Sequence, residues 1–105
     1  MAASFAAVKT IFAWLPLRDI IEPPHQQFDA MLARQIALHI TIRTFHVPKR
    51  RVVELQQRSR EAVNRALRTI DERLDSPEFA SIYRLIQTRA REFFGQKMTD
   101  ARNAA

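Results

Sequence analysis

Apolar and polar positions alternate along this chain with the period of a helix, about 3.6 residues, in three of its four segments. Phe5, Val8, Ile11, Phe12 and Leu15 fall on one side of a helix over 3–15, which Pro16 ends. Residues 16–24 read as a connector, with the pair Pro23-Pro24 suited to the entry of the next helix. Within 48–74, Val52, Leu55, Ser59, Ala62, Val63, Ala66, Leu67, Ile70 and Leu74 share a face. Within 77–102 the stripe is Phe79, Ile82, Tyr83, Ile86, Ala90, Phe93, Phe94 and Ala101. Between these two runs Ser76 is placed to cap, Pro77 to occupy the first helical position and Glu78 to complement the dipole.

The remaining segment, 25–45, has no polar side. Phe28, Met31, Leu32, Ile36, Leu38, Ile40, Ile42 and Phe45 cover most of a helix circumference. Such a helix sits either at the centre of a bundle or in an interface. Its end, Ile40-Thr41-Ile42-Arg43-Thr44-Phe45, is β-branched and alternating, so a short strand competes with helix over 39–46. Helix is favoured, because the run that follows Pro48 is too long for the strand-and-two-short-helices arrangement of a ribbon-helix-helix protein. The expected fold is therefore all-α. A single helical domain spans 1–105, with its core in 25–102. It is built on a long antiparallel hairpin, 48–74 and 77–102, with a helix at 25–45 and a short N-terminal helix.

Composition narrows this further. One glycine in 105 residues, and no Asn-Gly or Asp-Gly pair, leaves little for β-hairpin turns. There is no cysteine, which removes disulfides, thiolate metal sites and cysteine nucleophiles. No apolar run is long enough to span a bilayer. Lys9 and Arg18 without an acid in the first 18 residues suit a targeting segment, but the apolar stripe there favours a packed helix. A cytoplasmic or other intracellular location is expected.

The formal charge is +6 and lies mostly in the second half. Residues 1–45 carry four basic and three acidic side chains, whereas 46–105 carry thirteen and eight. Pro48-Lys49-Arg50-Arg51 puts three cations in the first turn of a helix, against the positive end of its dipole and with no capping residue before it. Arg51, Arg58, Arg65 and Arg68 align along one face, where Glu54–Arg58 and Glu61–Arg65 form i,i+4 pairs. Lys49, Arg50, Arg51, Arg58, Arg65 and Arg68 are thus candidate anion-binding or nucleic-acid-binding residues. The interleaved acids and the absence of aromatics to stack on bases favour a solvated face.

Catalytic chemistry finds little support. His39 and His46 lie two helical turns apart, beyond the i,i+4 spacing that shares a metal, and His25 stands alone. No metal, cofactor or nucleophile motif is expected. Two resemblances bear on function. From Arg60-Glu61 to Pro77-Glu78-Phe79 and on through Ile82-Tyr83-Arg84-Leu85-Ile86, the chain resembles the last two helices of the all-helical chorismate mutases. The resemblance implies a dimeric pericyclase with Arg60 and Glu61 on substrate and Gln96 as the shifted glutamine. The long first helix of that family is interrupted here by Pro23-Pro24, and its lysine has no counterpart. Ile82-Tyr83-Arg84 resembles the Leu-Tyr-Arg triplet of small basic mitochondrial assembly factors, but that triplet opens their first helix. The expected function is a non-catalytic interaction protein, an adaptor or accessory subunit, with a protein partner or a second copy as its ligand. Trp14, Met31, Ile36 and Ile40 are the expected interface. Nucleic-acid binding through 49–68 is the alternative.

Overall fold

The computed structural model describes residues 1–23 and 28–104; Pro24 and His25, named above, lie outside the described residues. Among the described residues it is all-helical, with six helices in chain order. These are α1 (Ala2–Ile11), α2 (Leu17–Ile21), α3 (Phe28–Arg43), α4 (Lys49–Gln56), α5 (Arg60–Arg73) and α6 (Pro77–Ala104). No strand occurs among the described residues, and the β-branched end of 39–46 continues the helix to Arg43. None of these helices is long and apolar enough to cross a membrane.

α3 is the axis of the bundle. Its burial all round follows from its sequence: Ala30, Ala33, Ile36, Ala37, Leu38 and Ile40 are each 1% exposed or less. α1 and α5 both pack against it, with lighter contacts from α2, α4 and α6. This settles one expectation against the interface. Ile36 and Ile40 belong to the core of the single chain, where truncation to Ala would cost roughly 2–5 kcal/mol.

α1 carries the expected stripe, with Phe5, Val8, Phe12 and Leu15 buried, but ends at Ile11. Lys9 Nζ donates to the Ala13 carbonyl at 2.6 Å and helps close that end. The connector is not bare. Pro16, lacking an N–H, stands at the N-cap of α2, whose Ile20 is fully buried.

The 48–74 arm divides in two. The apolar period runs through 57–59, but the local chemistry there ends one helix and starts another. Gln57 takes a left-handed conformation (φ 52°, ψ 39°) at the C-terminus of α4. Ser59, expected on the buried face, is instead the N-cap of α5, its Oγ accepting from the Ala62 N–H at 3.1 Å. Leu55 consequently sits in a two-turn helix of which only Val52 is buried, and remains 54% exposed. α5 keeps its stripe of Val63, Ala66, Leu67 and Ile70.

The restart at 76–78 is as read from the sequence. Ser76 Oγ accepts from the Phe79 N–H at 3.5 Å and donates to Glu78 at 3.0 Å. α6 then runs 28 residues, ~42 Å at 1.5 Å per residue, equal to the longest extent of the molecule (42 Å). Its closest packing is along α1, with a lighter contact to α3, rather than along α5. Tyr83, Ile86 and Ala90 are its buried positions. Ile82, beside the buried Tyr83, and Phe94, whose ring lies 5.2 Å from that of Phe45, are both expected inside and are about half exposed; every residue from Gly95 to Ala104 is exposed, because the helix outruns the bundle it packs on.

Candidate functional site

Three groupings of side chains carry chemistry, and each is placed by a different part of the fold. The first is the basic face. Lys49, Arg50 and Arg51 open α4, whose N-cap Pro48 supplies no side-chain hydrogen bond. All three are exposed, and with Pro48 and Glu54 the two arginines line a shallow open depression. The ion pairs differ from those expected from spacing. The break at 57–59 takes Arg58 out of helical register with Glu54, which pairs with Arg50 instead (3.8 Å). Glu61 meets Arg68 two turns on (3.4 Å) rather than Arg65. Lys49, Arg51, Arg58 and Arg65 take part in no ion pair among the described residues. The break also means that the six cations no longer lie along one straight helix.

The second grouping is apolar and exposed. Trp14, in the turn before α2, is 65% exposed and its ring lies 5.5 Å from that of Phe12. Leu17 and Ile21, one turn apart on α2, are 45% and 37% exposed; Phe28 and Met31, one turn apart on α3, are 82% and 43% exposed. Arg34 ties the two helices: its Nε donates to the Ile21 carbonyl at 3.2 Å. Met31 lies one turn before Arg34 on α3, the helix that packs against α2. Of the expected interface, Trp14 and Met31 lie on this surface, and Ile36 and Ile40 do not. Leu17, Ile21 and Phe28 join it; the i,i+4 and i,i+3 spacings of these residues are visible in the sequence, but their exposure is not.

The third grouping is buried and polar. His39, 4% exposed at the centre of α3, bonds on both nitrogens. Nε2 lies 2.7 Å from Asp71 Oδ1 on α5, and Nδ1 lies 2.6 Å from the Tyr83 hydroxyl on α6. A carboxylate can only accept, so Nε2 carries the proton and Nδ1 accepts from the Tyr83 O–H. Arg43 reaches the other Asp71 oxygen at 3.5 Å, and Gln87 donates to Thr44 at 2.9 Å beside it. Burial, partly offset by Asp71, holds the His39 imidazole below its ordinary pKa. The hydrogen bond from His39, more than any other influence, holds Asp71 below the usual carboxylate value. Burial pushes the Tyr83 phenol up to about 12. This is a neutral imidazole donating to a carboxylate, with a neutral phenol behind it. Both nitrogens are occupied and neither ring is open to a substrate, so the arrangement clamps three helices together.

The remaining expected groups do not converge. His46 ends the turn after α3 at φ 58° and is exposed. Among the described residues no three His, Asp or Glu side chains gather as metal ligands. Arg60, Glu61 and Gln96, which the pericyclase resemblance would bring onto one substrate, are all exposed, and Glu61 is engaged by Arg68. No family model, no curated protein and no solved structure matches this chain.

Proposed function

We propose that this chain is a non-catalytic helical interaction protein, an adaptor or an accessory subunit of a larger assembly. Its binding surface is the apolar shoulder of α2 and the start of α3. One observation carries the reading. Phe28 is 82% exposed, and Met31 on the same helix and Leu17 and Ile21 on the helix that packs against it are 37–45% exposed, although the same chain buries a full core of its own. Exposed apolar side chains scattered singly need no explanation, but a grouped set that includes a nearly bare phenylalanine marks a surface that a partner covers. Trp14, the sole tryptophan, reports on the neighbouring turn. The experiment is to replace Phe28 and Met31 by Asp together and compare complex formation with the unchanged chain, by native capture and light scattering. Loss of the complex with an unchanged melting temperature supports the reading; a complex that survives the substitution refutes it.

A second reading, nucleic-acid binding, draws on the four cations left outside ion pairs, Lys49, Arg51, Arg58 and Arg65. Contacts from them would be to phosphates and would weaken steeply as salt rises. Fluorescence polarisation with labelled single-stranded and duplex oligonucleotides at low and near-physiological salt tests it. Binding that is lost on Arg51→Glu with Arg65→Glu assigns it to this face, and no binding at low salt removes it.

A further inference from the structure

α6 carries an exposed face of its own. Arg91, Phe94, Met98 and Arg102 follow one another at steps of three, four and four residues, the spacing that keeps side chains on one side of a helix. All four are exposed, Phe94 by 48% and Met98 by 56%. The Phe94 ring lies 5.2 Å from that of Phe45, so the apolar strip starts on the bundle and runs out along the helix to Met98. The acids of this stretch, Glu92 and Asp100, stand one residue from Arg91 and two from Met98, spacings that turn them off that side. Neither Arg91 nor Arg102 takes part in an ion pair among the described residues. From Gly95 on, α6 is exposed throughout, and helical turns that pack on nothing are marginal in water, the more so behind a glycine. A partner laid along this face would hold them.

The complementary chemistry lies in the other half of the chain. All three acids of residues 1–45 fall within 19–29, a stretch with no lysine and no arginine. Arg18, just before it, pairs with Asp19 at 3.8 Å, while Glu22 and Asp29 are exposed and in no ion pair among the described residues. Glu22 follows Ile21 and Asp29 follows Phe28, so each exposed apolar pair of α2 and α3 has an acid next to it in the chain. In a chain of net charge +6, this acidic and apolar stretch matches an apolar strip ended on both sides by arginine. The two surfaces do not meet within one molecule, because Gly95–Ala104 is exposed and α2 packs on α1 and α3.

We propose, taking the α2–α3 shoulder as a binding surface, that its occupant is the free end of α6 from a second copy of this chain. Phe94 and Met98 of one copy cover Ile21 and Phe28 of the next, and Arg91 and Arg102 face Glu22 and Asp29. The contact joins two different surfaces, so copies associate head to tail, into a ring or an open chain according to the rotation between them. Association weakens as salt rises, because exposed charge pairs set its register.

Two full-length variants test the contact by light scattering and sedimentation. One loses the shoulder, Phe28→Asp with Met31→Asp; the other loses the α6 face, Met98→Asp with Arg102→Glu. All four positions are exposed, so both variants should melt like the unchanged chain. The unchanged chain should show a mass that grows with concentration and falls back as salt rises. Each variant alone should stay monomeric. An equal mixture should form a one-to-one heterodimer, since one variant keeps the α6 face and the other keeps the shoulder. Charge reversal is an independent arm: Glu22→Arg with Asp29→Arg should abolish association, and Arg91→Glu with Arg102→Glu added in the same chain should restore it. An unchanged chain that is monomeric at every concentration, a mixture that forms no heterodimer, or a charge reversal without rescue overturns the second copy as occupant. The shoulder itself outlives that outcome where native capture finds a different protein, lost from Phe28→Asp with Met31→Asp. With neither a second copy nor a captured protein, both fail.

Discussion

His39 Nε2 lies 2.7 Å from Asp71 Oδ1, joining the centre of α3 to a position 32 residues further along the chain on α5. With Tyr83 on the other nitrogen, this one imidazole fixes the mutual register of three helices. Apolar contacts alone are tolerant of sliding, whereas a buried hydrogen-bonded group accepts few alternatives. Both ionisations move in the same direction, and that gives the fold a pH dependence. The folded pKa of His39 lies below its ordinary value near 6.5, and that of Asp71 below its ordinary value near 3.8. In both cases the unfolded chain binds the proton more readily. The contribution is therefore complete above pH about 6.5 and is lost as pH falls through the lowered values, first that of His39 and then that of Asp71.

The urea midpoint is expected to fall between about pH 7.5 and about pH 5, with an unchanged slope. In His39→Gln the fall across that window should disappear, because Gln bonds both neighbours without titrating. A midpoint that stays level in the unchanged chain would show that His39 does not titrate against folding.

Tyr83 is the sole tyrosine of the chain, so phenolate absorbance reads it without interference. Its pKa is raised by burial to about 12, which reverses the sign: the neutral phenol stabilises the fold below pH about 10, and the contribution is lost as pH rises towards about 12. The absorbance transition is expected near the upper value and should coincide with loss of helix by circular dichroism. Tyr83→Phe leaves His39 Nδ1 buried without a donor and should cost about 1–3 kcal/mol.

The break between α4 and α5 makes opposite predictions at adjacent positions. Gln57 holds φ at 52°, a conformation that glycine adopts without strain. Gln57→Gly should be neutral or stabilising by up to about 1 kcal/mol, whereas in a continuous helix it would destabilise by that amount. Ser59→Ala removes the cap of α5 and should cost about 1 kcal/mol. Denaturant midpoints of the two variants, measured side by side, decide whether the helix is broken there.

Gly95 lies inside α6 where a Cβ would meet nothing within 4 Å. Gly95→Ala should therefore stabilise the chain by ~1 kcal/mol through helix propensity alone. A loss of stability would mean that the free end of α6 is packed against something in solution.

Much of the fold is legible in the sequence because the helical period is strong: the buried positions of α5, and Phe5 and Val8 of α1, are among those that periodicity selects, whereas the small residues Ala3, Ser4 and Ala7, also buried, are not. The restart at Ser76-Pro77-Glu78 is legible because its capping chemistry is local. The break at 57–59 is not, since the apolar period passes straight through it and Ser59 satisfies both readings. Nor can periodicity say how far a bundle extends, so Ala101 continues a stripe beyond the part of α6 that packs. Ile36 and Ile40 show the same limit from the other side, because a helix apolar all round is equally suited to a core and to an interface. The His39 clamp was invisible for a different reason. Its partners stand 32 and 44 positions away, and no spacing rule links Asp71 and Tyr83 to a histidine on another helix.

The central claim is that the α2–α3 shoulder binds a protein, and the most direct measurement compares two baits. The unchanged chain and Phe28→Asp with Met31→Asp are used side by side for native capture, with light scattering of each at high concentration. Both substituted positions are exposed, so the two baits should melt alike. The account requires a defined partner, or a second copy of the chain, that associates with the unchanged protein and is lost from the substituted one. An unchanged chain that stays monomeric, and whose captured proteins are the same as those of the substituted chain, would contradict it.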